Sequence, residues 1–466
     1  MVAHAQARSR RRPTAAHRSA PAPTTAAAAA AQPPAAAPSF EAIGLPAVLC
    51  AELAHQRITV PFPVQAAAVP DALAGRDILG RGRTGSGKTL AFGLPLLANT
   101  AGSKAEARRP LALVLVPTRE LAQQVTEALR PYARAVHLRM ATVVGGLAIG
   151  RQAKALRDGA DVLVATPGRL NDLIERGDCA LDRVRITVLD EADQMSDMGF
   201  LPQVTRLLRQ VPGDGQRMLF SATLDRNVER LTRQFLDDPV LHSVDPPAAA
   251  VTTLEHHLLH IAEGDKAALV LRIAARRGRV IMFLRTKHAA NRLAKNLLAG
   301  GVRAAALHGG KSQAQRTRSL DAFKAGDLTV LVATNVAARG IHVDDVDLVV
   351  NVDPPTDPKD YLHRGGRTAR AGASGRVVTL VVPSQRGDTA RLMRDAGVTP
   401  HSSKVRGPED AELARITGAR APSGVPVTPE APRPAAAQPR ATGRAAHRSP
   451  GGGAPRRRRP RPRRAA

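Results

Sequence analysis

Two short segments limit the folds open to this chain. The run Ile186-Thr187-Val188-Leu189 reads as a buried strand and ends in Asp190-Glu191-Ala192-Asp193. About a hundred residues earlier, Gly82-Arg83-Thr84-Gly85-Ser86-Gly87-Lys88-Thr89 fits the phosphate-loop pattern G-x-x-x-x-G-K-[ST] in full. The glycine-rich turn lets backbone N–H groups approach phosphates. Mg-ATP hydrolysis needs such a cradle together with a carboxylate pair at a strand end. Lys88 then places a point charge between the β- and γ-phosphates. Thr89 and Asp190 hold Mg²⁺, directly or through water, and Glu191 polarises the attacking water. Alone, the first segment could be a chance match and the second an acidic helix start. Together, in this order and each at a strand end, they point to phosphoryl transfer.

Strand-like runs alternate with helical stretches from Phe40 onward: Leu111–Val116, Val162–Ala165, Ile186–Leu189 and Met218–Phe220. The alternation predicts a parallel sheet with helices on both faces. The signatures follow these runs, at carboxyl ends of strands, where open α/β sheets bind ligands. A second series comprises Val280–Phe283, Arg303–Leu307, Thr329–Ala333, Val346–Val350 and Val377–Val382, and has no second phosphate loop. The expected layout is an α/β chain of two tandem domains. Residues 1–38 form a disordered Ala/Pro/Arg-rich tail, 39–242 the ATP-binding domain, 243–253 a Pro/Ala linker, 254–400 the second domain, and 401–466 a disordered basic tail.

The chain of 466 residues carries a net charge of +28, with a sequence pI of about 11.5. A polyanionic partner is the natural inference. Residues 1–38 hold five Arg and no acid, and 401–466 hold 15 Lys and Arg against four acids, leaving +12 on the core. With eight Phe, two Tyr and no Trp, platforms for base stacking are scarce, so backbone contact is the expected mode. Cys50 and Cys179 make no disulfide framework and fit reduced core thiols, and no Cys/His cluster shows metal-ligand spacing. No stretch reaches the ~20 apolar residues that span a bilayer. The N-terminus is Arg-rich and acid-free, a transit-peptide trait, yet the whole chain shares its Ala/Arg bias. The expected compartment is the cytoplasm.

Further segments stand in order around these two. They are Phe62-Pro63-Val64-Gln65, Pro117-Thr118-Arg119-Glu120-Leu121, Gly145-Gly146, Thr166-Pro167-Gly168-Arg169 and Ser221-Ala222-Thr223. Beyond residue 250 come His308-Gly309-Gly310, Gln313 with Arg316, the segment from Ala333 to Gly340, and His363-Arg364-Gly365-Gly366-Arg367-Thr368-Ala369-Arg370. With this ordered set, roughly residues 40 to 385 resemble a DEAD-box ATP-dependent RNA helicase of superfamily 2.

The resemblance implies two RecA-like domains with ATP and Mg²⁺ in the cleft between them. It implies that Gln65 reads adenine, with Phe40, Ile58 and Asn335 also at the nucleotide. It implies RNA-backbone contacts from Pro117, Thr118, Arg119, Gly145, Gly146, Thr166, Arg169, His308, Gly309 and Thr334. Coupling between domains falls to Asp193, Ser221, Thr223, His363 and Arg364. The first domain lacks a cation for the developing γ-phosphate charge. Arg367 and Arg370, spaced i, i+3 and so on one face if helical, are the candidates to supply it. The chain departs from the family at Ile58, usually aromatic, at Asn335 and His342, usually Asp, and at Gly365 and Ala369, usually Ile and Gly. Beyond RNA, ribosome-assembly or RNA-decay proteins are the expected partners, and no membrane is. Two other readings use the same residues: an ATP-gated RNA clamp or scaffold with little unwinding, and a DNA helicase of the same superfamily.

Overall fold

The computed structural model describes residues 38–82, 85–243, 254–335, 346–368 and 375–428. The tail calls over 1–37 and 429–466, the linker call over 244–253, and Arg83, Thr84, His342, Ala369 and Arg370 lie outside these residues.

Seven strands build the first domain: β1 (Ile78–Arg81), β2 (Ala112–Leu115), β3 (Met140–Val143), β4 (Val162–Ala165), β5 (Ile186–Asp190), β6 (Gln216–Ser221) and β7 (Val240–Ser243). They pair in parallel in the order β3-β4-β2-β5-β6-β1-β7. β2, β4 and β5 are buried at every position, as expected of central strands covered on both faces. Their period-two alternation still sorts the two layers. Val114, Val164 and Val188 pack into one core with Phe92 and Leu129, while Leu113, Leu163 and Leu189 pack into the other with Leu170 and Leu207.

The second domain repeats the plan: β8 (Leu254–His260), β9 (Val280–Phe283), β10 (Ala304–Leu307), β11 (Val330–Ala333), β12 (Leu348–Asn351), β13 (Gly375–Val381) and β14 (His401–Lys404). All pairs are parallel, in the order β10-β11-β9-β12-β13-β8-β14. Renumbered from its own first strand, this is the order of the first domain. The two sheets are one topology used twice, in agreement with the expected tandem α/β architecture.

The repeat corrects the boundary expected at residue 400. β14 is the counterpart of β7 and closes the second sheet against β8, so the domain runs on past Lys404. The helix Ala411–Thr417 follows, capped by Asp410, and buries Leu413 and Ile416 in the same core as Val280 and Val350. Val427 N–H still bonds the Leu298 carbonyl at 2.9 Å. The segment hides because β14 is His-Ser-Ser-Lys: an edge strand held by backbone bonds needs no apolar side chain. Leu413 is fully buried, so Leu413→Ala should destabilise the second domain by about 2–5 kcal/mol, readable as a lower denaturation midpoint. A free tail at this position would give a midpoint equal to wild type.

Candidate active site and nucleic-acid interface

Apart from Phe62-Pro63-Val64-Gln65, which opens the helix Pro63–Leu73 ahead of β1, the chemical signatures of the first domain leave the carboxyl edge of its sheet, and strand order divides that edge. The phosphate loop follows β1, the acidic quartet β5, and Ser221-Ala222-Thr223 closes β6, the strand between them. On the other half, Thr118 and Arg119 follow β2, Gly145 and Gly146 follow β3, and Thr166 and Arg169 follow β4. Phosphate chemistry and backbone-binding candidates thus sit side by side on one rim.

The loop is shaped for phosphate. Gly85 and Gly87 hold φ of 90° and 93°, a region L side chains rarely enter. A Cβ on Gly87 would stand 2.7 Å from Gln65 Nε2 and 2.9 Å from the Phe62 ring. Gly87 precedes the helix Lys88–Thr100, whose first N–H groups and dipole favour an anion. Lys88 is buried and its Nζ donates to the Gly82 carbonyl at 2.8 Å, folding the ammonium back across the loop.

Asp190, Glu191 and Asp193 are all buried beside it. Burial pushes the Asp190 carboxyl up to about 7, Glu191 and Asp193 add to the rise, and Lys88 opposes it. Asp190 and Thr89 are the candidate holders of a divalent cation, since both oxygens of Asp193 already accept from Gln194 and Thr223. Glu191 has φ 53° and ψ 52°, a left-handed conformation that costs a non-glycine residue about 1–3 kcal/mol. Its N–H donates to Asp190 Oδ1 at 3.0 Å. Asp193 ties β5 to β6: its Oδ2 accepts from the backbone N and Oγ1 of Thr223, each at 3.0 Å, and its own N–H donates to Ser221 Oγ at 3.2 Å. The predicted trio Asp193, Ser221 and Thr223 is therefore one network, within the first domain.

Gln65 is buried and engaged at both ends, Oε1 accepting from Phe62 N–H at 2.9 Å and Nε2 donating to the Gly87 carbonyl at 3.0 Å. It braces the phosphate loop. Phe40 lies in the first core and Ile58 packs against that core. The aromatic beside the loop is instead Phe62, half exposed, a residue that sequence reasoning quoted only as a neighbour of Gln65.

On the backbone-binding half, Thr118 caps the helix Arg119–Ala135 by accepting from Leu121 N–H at 3.2 Å, with Pro117 buried before it. The Arg119 guanidinium lies against Gly145 and Gly146, where a Cβ on Gly146 would overlap it. Arg169 donates to the Leu147 carbonyl at 3.0 Å, and Thr166 starts the helix Pro167–Glu175. Burial, then the Arg316 and Arg169 charges, push the Arg119 guanidinium down, and Glu120 partly offsets them. In the second domain His308 accepts from Gly310 N–H at 3.2 Å and meets Asn291 Oδ1 at 3.0 Å, with burial and Lys311, Lys287 and Arg316 lowering its pKa. Gly309 has open space around its Cα, and Thr334 N–H reaches the Leu307 carbonyl at 3.3 Å.

Three expectations need correction. Asn335, expected at the nucleotide, donates to Asp360 at 2.6 Å and accepts from Arg364 Nε at 2.7 Å, so its amide serves the second domain. Arg364, expected to couple the domains, is buried with bonds to Asn335, Asn351 and the Asp353 carbonyl and lies over the Phe283 ring, all in its own domain. The helical condition attached to Arg367 is not met, because the helix Pro358–Gly365 ends before it, and Arg370 lies outside the described residues. Arg367 is buried in the turn beyond, its Nε 3.3 Å from the His363 carbonyl.

The bridges between domains lie elsewhere. Glu120, buried, accepts from Gln313 Nε2 at 2.9 Å and Arg316 Nε at 2.8 Å. Lys359 Nζ donates to Asp225. Glu120 follows β2 and Asp225 follows β6, the two neighbours of β5, so the second domain grips the first on both sides of Asp190. Sequence reasoning named neither bridge. The signal the sequence offers for the first is an acid beside Arg119, with Gln313 and Arg316 standing together downstream.

Comparison with known proteins agrees with this geometry. A DEAD/DEAH box helicase family model matches residues 62–231, and a helicase conserved C-terminal domain model matches 265–372. ATP-dependent RNA helicase RhlB of Pseudomonas syringae is 40% identical over 340 residues, covering 70% of this chain and 86% of that protein. DEAD-box ATP-dependent RNA helicase 3A, chloroplastic, of Zea mays is 40% identical over 365 residues, 76% of this chain, but the chain spans only 49% of that relative. Among solved structures, Dbp5 of Saccharomyces cerevisiae bound to RNA and ADP BeF3 superposes with a TM-score of 0.70 at 29% identity, covering 82% of this chain and 99% of that one. Two domains of the same strand order, a phosphate loop and an Asp190-Glu191-Ala192-Asp193 turn bracketed by interdomain bridges, and relatives of this identity and coverage place the chain in the DEAD-box family of ATP-dependent RNA helicases.

Proposed function

We propose that the chain hydrolyses ATP in the interdomain cleft and uses the cycle to separate short RNA duplexes and remodel RNA–protein complexes. The carrying observation is the bracket: the second domain meets the first on both flanks of Asp190, so catalytic competence and domain closure are linked. Lys88, Thr89 and the loop amides bind and orient the triphosphate, Gln65 braces the loop at the adenine end, and Glu191 orients water and takes its proton. Mg²⁺, held by Thr89 and Asp190, supplies charge neutralisation when bound. Arg367 brings positive charge to the γ-phosphate from the other domain, with Arg370 after it in sequence.

RNA is the proposed closing ligand. Arg119, Arg169 and Arg316 come from both domains and crowd one another, and a phosphate backbone laid across them relieves that repulsion. Pro117, Thr118, Gly145, Gly146 and Thr166 of the first domain, with His308, Gly309 and Thr334 of the second, are the further proposed contacts, of a kind that ignores base identity. The proposed compartment is the cytoplasm, where Cys50 and Cys179 stay reduced, with ribosome-assembly or RNA-decay proteins as further partners. Strand separation tests this reading: a short RNA duplex should open with ATP, and a DNA duplex of the same sequence should not. ATP-dependent retention of RNA without separation favours the clamp, and equal opening of DNA favours the DNA helicase.

The described structure ends at Thr428, and residues 429–466 carry eleven Arg and one acid, Glu430. Removing 429–466 should leave basal ATPase unchanged and flatten the salt dependence of RNA binding. If about half the arginines engage phosphates, the slope of log affinity against log salt falls by about 3 to 4. Superimposable salt series for both forms would mean that the tail takes no part in RNA capture.

A further inference from the structure

Lys359 stands in none of the segments that mark the family, yet it joins the domains beside the catalytic edge. It occupies the first turn of the helix Pro358–Gly365, where Asp357 Oδ1 accepts from its N–H at 2.7 Å. Its Nζ donates to Asp225 Oδ2 and lies 3.9 Å from Asp197 Oδ1. Each acid belongs to a segment leaving a catalytic strand. Asp197 ends the helix Ala192–Asp197, which starts within the acidic quartet. Asp225 is two residues beyond Thr223 and caps the helix Arg226–Phe235 through Oδ1, accepting from Asn227 and Val228 N–H at 3.0 Å each. One oxygen of Asp225 thus serves its own helix while the other crosses to the second domain. At the far end of the Lys359 helix, Arg364 anchors to Asn351 and the Asp353 carbonyl, so the helix moves as part of the second domain. The next turn carries Arg367.

We propose that Lys359 is a positioning residue, which docks the helix leading to Arg367 against the segments after β5 and β6 and thereby sets how much RNA is needed to hold the cleft closed. This rests on the function proposed above. Burial alone would lower the lysine pKa, but Asp225, Asp197 and Asp193 hold it above its ordinary value, so the ammonium is charged throughout the working range. The pair is partly exposed, Lys359 at 41% and Asp225 at 18%, so it is a modest, salt-screened contact suited to biasing an open–closed equilibrium.

The experiment is RNA-stimulated ATPase of the full chain against RNA concentration for wild type, Lys359→Met, Lys359→Arg, Asp225→Asn and the Met/Asn double variant. Asn retains helix capping, so Asp225→Asn removes the charge while keeping the cap. Lys359→Met and Asp225→Asn should each raise the half-stimulating RNA concentration several-fold, with the rate at saturating RNA within about twofold of wild type. Lys359→Arg should stay close to wild type, and the double variant should be no worse than either single one. Additive effects in the double variant, or a Lys359→Met curve superimposed on wild type, would overturn the positioning role while leaving the helicase reading intact. Absence of RNA stimulation in wild type would overturn both.

Discussion

Glu191→Gln should lower ATP turnover by about two orders of magnitude or more and leave Mg-ATP binding nearly intact. The substitution keeps the size and shape of the side chain and removes the carboxylate proposed to orient water and accept its proton. The backbone argues for a dedicated role. Glu191 holds a left-handed conformation with its N–H bonded to Asp190 Oδ1. Strain of this kind persists where the surroundings over-determine it. Steady-state ATPase and titration with a fluorescent ATP analogue check the two halves separately. Turnover close to wild type would assign the water to another residue, and lost nucleotide binding would give Glu191 a structural task.

Arg367→Ala should remove RNA-stimulated hydrolysis, with a loss of about 10³ in rate, and spare nucleotide binding to the first domain. Lys88 is the cation that the first domain places beside its carboxylates, and it lies across the phosphate loop. The charge that develops on the γ-phosphate needs a donor from outside, and the bridges at Glu120 and Asp225 hold the second domain on either side of Asp190. Arg367 is buried in the turn directly after the bridging helix. A variant that retains RNA stimulation would mean that the composite site uses another cation.

Much of this was legible because central strands of a parallel sheet are apolar on both faces. β2, β4, β5, β6, β9, β10, β11, β12 and β13 all coincide with apolar runs. Five strands have no such run: β1 and β3 are four-residue segments buried only at alternate positions, and β7, β8 and β14 carry side chains that meet water or other polar groups. β7 alternates half-buried and exposed residues, β8 carries three histidines, and β14 has no apolar residue at all, so backbone bonding alone holds it. The same logic explains the site. Gly87, Lys88, Asp190 and Asp193 are readable because local pattern fixes their neighbours. Glu120–Arg316 and Asp225–Lys359 join residues 196 and 134 positions apart, and only the folded pair of domains brings them together. Asn335 and Arg364 misled for the complementary reason. Each lies in a segment that marks the family, yet a buried arginine takes the partners its own domain offers first.

The central claim is that closure of the second domain onto the first, driven by RNA, completes the ATP site. ATP turnover by the intact chain, measured with saturating single-stranded RNA, with DNA of the same sequence and with neither, tests it most directly. The account predicts a rate raised at least tenfold by RNA, with DNA and the nucleic-acid-free sample alike. A high rate indifferent to RNA would contradict it, since the first domain would then hydrolyse ATP unaided.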